Sequence, residues 1–324
     1  MAPRAGTSSS FLLLTPLPNW KGAAQKITEE ISIRRLLPPE RVVLESSHSL
    51  LQHHEIGESA RDAYWICYPF ENNHPSDNVR YRRRQDAAFK LMLHVMYSVQ
   101  ILAPIGAANL LLLYERTRDG LILDSTQRRQ AFIATVWARL CEVPASFQDE
   151  IPVVLSRLRE AFQKPTLRLQ IPVWLLEQGL SAPDRHIRIL LWATGLDGIT
   201  RSGGIAAFSE RLCQLLGAGT LIFPPSETNR RPKYRVADVV EDLYQLRNQM
   251  AHGLPFDERF RKTRGFLAAD DQPISDEFAN YRYDHVLEEC AAFLLCNALR
   301  EIFLRDRVFD VQTMCWSSPE MGSP

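Results

Sequence analysis

Along the second half of the chain apolar residues recur at spacings of three and four, whereas the first half carries short apolar runs broken by turn residues. Val236, Val239, Val240, Leu243, Leu246 and Met250 stand at i, i+3, i+4, i+7, i+10 and i+14, one face of an α-helix and incompatible with a strand. Gly253 can take up a left-handed backbone and Pro255 forbids continuation, so this helix is predicted to end there. The same periodicity predicts a helix on Ile151, Val154, Leu155, Leu158 and Phe162, with Pro152 tolerated in its opening turn. A shorter segment, Ile171–Leu180, follows. Ser181–Asp184 then breaks the chain before His186–Ile199, which is apolar almost all round and therefore central. Ile205–Leu216 and Tyr283–Leu304 complete an all-helical region.

The region before it is different. Ile31–Arg35 and Tyr64–Tyr68 are β-leaning, the second being rich in aromatic and β-branched residues. Leu110–Tyr114 and Leu121–Leu123 flank an Asp119-Gly120 turn pair and are predicted to form a hairpin. A buried helix is expected over Gln85–Leu102, preceded by the basic cluster Arg80, Arg82, Arg83 and Arg84, which either tracks an RNA backbone or, the preferred reading, forms a solvated turn. Residues 1–20 are Ser/Pro-rich at first and are expected to be loose. The fold class is thus an α+β N-terminal domain followed by an all-α helical bundle. The expected boundaries are 1–145 for the mixed domain, whose role the sequence leaves open, 146–304 for the bundle, and 305–324 for a disordered tail.

Composition narrows the function classes. A chain of 324 residues with 45% hydrophobic content is ample for two buried cores. Formal net charge is zero, so no global field draws it to nucleic acid, and any RNA contact must rest on local groups. The six cysteines show no C-x-x-C pair and no ligand spacing, which suits reduced thiols in a cytoplasmic protein. His53-His54 point apart on any regular element, so no metal site is expected. No segment approaches the roughly 20 apolar residues of a membrane span. Phe11–Leu14 is too short for a signal peptide.

The chemistry-bearing residues sit at one helix end. Arg247 falls about 20° from Val236 and Val240, on the edge of the apolar stripe, where a cation needs a partner. Glu241, Gln245, Asn248 and His252 form a polar stripe beside it. Arginine suits phosphate oxygens, and an imidazole titrating near pH ~6.5 suits proton transfer at neutral pH. Their structural alternatives are an ion pair holding the bundle and a cation meeting the helix dipole.

Arg247-Asn248-Gln249-Met250-Ala251-His252 resembles the R-N-x-x-x-H signature of HEPN domains, and the longer string L-Y-x-L-R-N-x-x-A-H-G is most similar to the ApeA-like HEPN branch. The resemblance covers about Ser146–Leu304. It implies a metal-independent endoribonuclease without cofactor, of the kind found in toxin–antitoxin and anti-phage defence systems. Arg247, Asn248 and His252 would be the catalytic group, with Asp197 in support; Glu241, on the same polar stripe, is a further supporting candidate. Asp197, in L-D-G-I, stands where ApeA-like domains carry the Glu of L-E-x-L. Arg259, Arg261, Lys262 and Arg264, just downstream, either meet RNA phosphates or form a solvated loop. About 140° separates Arg247 from His252 on a straight helix, so either the helix end bends or two copies complete the site; HEPN proteins usually dimerise with these helices facing. Implied partners are RNA, a second copy, and an antitoxin or other regulatory protein, with no membrane. The alternative is a non-catalytic HEPN module that binds RNA, nucleotide or a partner protein.

Overall fold

The computed structural model describes residues 9–17, 20, 22–46, 63–72, 78–102, 110–117, 120–128, 149–163, 169–222, 234–254, 276–310 and 312–317. The chain divides into two compact units, Met1–Leu155 and Ser156–Pro324. The first is a mixed α/β unit built on an antiparallel sheet; the second is helical apart from a small hairpin.

The first unit contains β1 (Ser9–Leu17), β2 (Gln25–Lys26), β3 (Ser32–Arg35), α1 (Pro38–Ser46), β4 (Tyr64–Asn72), α2 (Asn78–Leu102), β5 (Leu110–Thr117) and β6 (Gly120–Arg128). The strands form one six-stranded sheet in the order β2-β3-β4-β1-β5-β6, every neighbouring pair antiparallel. The expected β5–β6 hairpin is present, its two linking residues 118 and 119 lying outside the described residues.

The loose N-terminus expected over residues 1–20 is overturned for Ser9–Leu17: β1 lies at the centre of the sheet, paired with β4 and β5. Phe11, Leu12, Leu13 and Leu14 are all buried, because a strand covered on both faces needs a continuous apolar run rather than alternation. Pro16 is tolerated because β5 pairs only as far as Leu14, leaving one edge of β1 there without a neighbour among the described strands. Leu12, Leu14, Trp65, Cys67 and Tyr114 pack with Leu36 and Leu44 at α1, while Phe11 stacks on Phe70 and meets Tyr81 of α2. The Arg80–Arg84 cluster is not a turn ahead of α2. It occupies the first turns of that helix on its exposed side.

The second unit begins within α3 (Glu150–Gln163) and continues through α4 (Gln170–Ser181), α5 (Arg185–Thr200), α6 (Ile205–Leu216), α7 (Val236–Ala251), α8 (Asp276–Arg305), β7 (Val308–Asp310) and β8 (Cys315–Ser317). Its hub is α5, which packs against α4, α6, α7 and α8. Gly179 permits the closest of these approaches. A Cβ there would lie 2.1 Å from the Trp192 indole nitrogen, which donates to the Leu176 carbonyl. At the other face Arg185 and Arg188 of α5 bond the two oxygens of Glu288 on α8, a carboxylate 2% exposed. Breaking such a buried pair costs about 3–5 kcal/mol, so this triad fixes α5 against α8.

The disordered tail expected from residue 305 is also corrected, for its described part. β7 and β8 pair antiparallel, Phe309 packs on Trp316, and the Trp316 indole donates to the Arg211 carbonyl of α6. Three-residue strands carry too little periodicity to be read from sequence. No helix among the described residues is long and apolar enough to cross a membrane.

Candidate functional site

The α7 helix forms where its stripe predicts. Val236, Val239, Val240, Leu243 and Leu246 are buried against α5, α6 and α8, and Met250 is half-buried. Both ends are closed. At the start, Val236 and Ala237 donate their N–H groups to the carbonyls of Thr220 and Ala218, and Asp238 accepts from the Arg235 N–H at 2.8 Å. At the finish, the Gly253 N–H bonds the Met250 carbonyl and the Leu254 N–H bonds the Gln249 carbonyl, a Schellman closure. It requires the left-handed φ of +64° that Gly253 supplies.

Arg247 finds the anion its position demands. Its Nη2 donates to Asp197 Oδ2 at 2.6 Å and its Nη1 to Asn248 Oδ1 at 2.8 Å, while the guanidinium lies 5.7 Å from the Tyr244 ring centroid. Asp197 sits in the last turn of α5, where a negative charge opposes the helix dipole. That cost is offset by Arg247 and by the Ser202 hydroxyl, which donates to the other carboxylate oxygen. The same helix end is closed by a second cation: Arg211 of α6 donates to the Thr200 and Arg201 carbonyls. The C-terminal ends of α5 and α7 therefore meet around Arg247. This guanidinium is held in one orientation, with three of its five N–H donors beyond those two bonds.

His252 is the residue on which α7 ends, at φ −95° and ψ 5°. Its backbone N–H bonds back to Asn248 and Gln249. The imidazole is exposed and makes no hydrogen bond or ion pair with the described residues. Asn248, one turn earlier on the same stripe, is half-buried. Arg247 and His252 are offset by about 7.5 Å along the axis and 140° around it, and the regular Schellman end does not fold the histidine back.

The structure thus joins Asp197, Arg247 and Asn248, with His252 one turn beyond. Glu241 is not brought into this group. It is exposed two turns earlier and acts instead on Cys213 of α6, whose thiol is pushed up by burial first and by that carboxylate second. Arg259, Arg261, Lys262 and Arg264 lie outside the described residues. Two contributors were not anticipated, Ser202 and Tyr244. Tyr244 was legible in principle, because a ring three residues before an arginine on a helix lies beside it. Among the described residues no three His, Cys, Asp or Glu side chains gather as a metal site. No family model, curated protein or solved structure matches the chain.

Proposed function

We propose that the second unit is a HEPN-type, metal-independent endoribonuclease whose centre is Arg247, Asn248 and His252. The observation that carries this reading is the state of the two basic groups. Among the described residues, Arg247 is fixed by Asp197 and Asn248 yet keeps N–H donors to spare, and His252 is exposed and uncommitted on the adjoining turn.

RNA supplies its own nucleophile. Removal of the 2′-OH proton lets that oxygen form a bond to phosphorus while the bond from phosphorus to the 5′-oxygen breaks. The leaving oxygen takes up a proton, and a 2′,3′-cyclic phosphate remains. Arg247 neutralises the charge that builds on the non-bridging oxygens, a role for which preorganised donors are worth about 10²-fold or more in rate. His252 moves the proton, worth a further ~10²-fold or more. Asn248 holds the guanidinium, and Asp197 with Ser202 holds it from the other side.

Two proton transfers on opposite sides of one phosphorus ask for two groups, and one α7 places a single imidazole about 140° from its arginine. A C₂ homodimer with the two α7 ends opposed supplies both sets. Leu254, 58% exposed two residues after His252, gives that end an apolar contact for a second copy. Toxin or anti-phage defence is the biological setting this activity fits, with a regulatory protein as further partner.

The Asp197 pair favours one competing reading, a non-catalytic module in which Arg247 only braces the α5 and α7 ends. Incubating the purified chain with total RNA in excess EDTA separates the two. Cleavage leaving cyclic-phosphate ends supports the nuclease; intact RNA with retained binding supports the module.

A further inference from the structure

A cavity of about 380 Å³ opens beside the last turn of α5, between α3, α8 and the β7–β8 hairpin, and none of Asp197, Arg247, Asn248 or His252 lines it. Its size is near the lower end of small-molecule pockets, roughly 300–1,000 Å³, which suits one small ligand and not a polymer. Ile199, Ile302, Phe303, Phe309 and Trp316 form apolar wall.

The aromatic part of that wall is held in place before any ligand arrives. Phe309 and Trp316 rest on each other with centroids 5.2 Å apart, the Trp316 indole N–H is committed to the Arg211 carbonyl, and the Arg211 guanidinium covers Phe309 at 5.0 Å.

Three arginines line the cavity against two carboxylates, Glu160 and Asp306, an excess of one positive charge. Arg157 is neutralised by a two-pronged pair with Asp306 and also bonds the Phe303 carbonyl. Two further arginines line the cavity. Arg201 is exposed and has no side-chain partner among the described residues. Arg307 keeps its Nε buried with no hydrogen-bond partner among the described residues, a donor whose desolvation is uncompensated there. Uncommitted guanidinium groups next to a rigid aromatic wall in a small cavity match a ligand with an anionic end and a flat ring.

We propose that this cavity is a binding site for a mononucleotide, its phosphate on Arg201 and Arg307 and its base against Phe309 and Trp316. The site stands independently of the nuclease reading. Titration calorimetry of the full chain with AMP tests it, with adenosine, inorganic phosphate and dodecanoate as comparison probes. AMP binds, and each half-ligand binds at least about tenfold more weakly. Arg201→Glu and Arg307→Gln each lose about tenfold or more in AMP affinity. Arg201 is exposed, so its variant keeps the test valid should the other fail to fold. His252→Ala binds AMP as the parent does, which separates this cavity from the proposed RNA centre. Absence of heat from AMP, GMP, CMP and UMP at millimolar concentration overturns the proposal. So does unchanged AMP affinity in both arginine variants, or binding of dodecanoate with none of any nucleotide.

Discussion

Replacing Asp197 with alanine removes the carboxylate that receives Arg247 Nη2 at 2.6 Å and the Ser202 hydroxyl. The pair is partly covered, with Arg247 25% and Asp197 17% exposed. Fully exposed pairs contribute about 0.2–1 kcal/mol, and breaking fully buried ones costs about 3–5 kcal/mol. This one lies between, so Asp197→Ala should cost about 2 kcal/mol. For a unit of this size that corresponds to a melting temperature about 4–8 °C lower. Arg247→Ala loses the same bond together with its contacts to Asn248 and Tyr244. The double variant should therefore be less destabilised than the sum of the two, by about 1–2 kcal/mol. Urea unfolding of the four proteins, followed by circular dichroism, measures this coupling. A coupling within about 0.3 kcal/mol of zero would mean that the two side chains do not share the bond, and the reasoning about the α5 and α7 ends would fail.

Gly253→Ala should cost about 1–2 kcal/mol purely through its left-handed φ, since a Cβ there meets nothing within 4 Å, and Gly253→Asn should cost less; equal stability of all three by urea unfolding would contradict the Schellman closure. Burial pushes the Cys67 thiol up to about 12, opposed by Arg34, so at pH 8 in the native state iodoacetamide should modify Cys315 and spare Cys67, Cys290 and Cys296. Peptide mapping that finds native Cys67 modified would refute the sheet core. If both His252 side chains serve one shared centre, mixing the parent with an equal amount of His252→Ala should leave about a quarter of the cleavage given by the same total of parent, and about a half, measured while subunits exchange, would exclude a composite site.

How much was legible in advance depended on what kind of order each segment carried. The α7 helix announced itself through six apolar positions, a glycine and a proline, and its edge-of-stripe arginine announced the need for an acid. The α5 helix carries the same signal unread. Arg188 lies within about 20° of Gly195 and Ile199 on the buried face, so a partner such as Glu288 was demanded by the same argument. The β1 strand was missed because Phe11–Leu14, buried on both faces, has no alternation to detect. Local patterns also say nothing of Ser202 or of the β7–β8 hairpin, whose contacts to Asp197 and Arg211 depend on where α5 and α6 end. Asp197 follows from the helix angle of Arg247 together with the HEPN resemblance, whereas Glu241, offered by its place on the polar stripe, is not gathered at the site.

The most direct measurement is the rate of RNA cleavage by His252→Ala in excess EDTA, with circular dichroism recorded on the same sample. His252 is exposed at a helix end and bonds the described residues through its backbone alone, so the variant should keep the parent's spectrum. The account expects the parent to cut and leave 2′,3′-cyclic phosphate, and the variant to cut about 10²-fold more slowly or worse. A folded His252→Ala that cleaves as fast as the parent, or a parent that leaves every RNA intact, would contradict it.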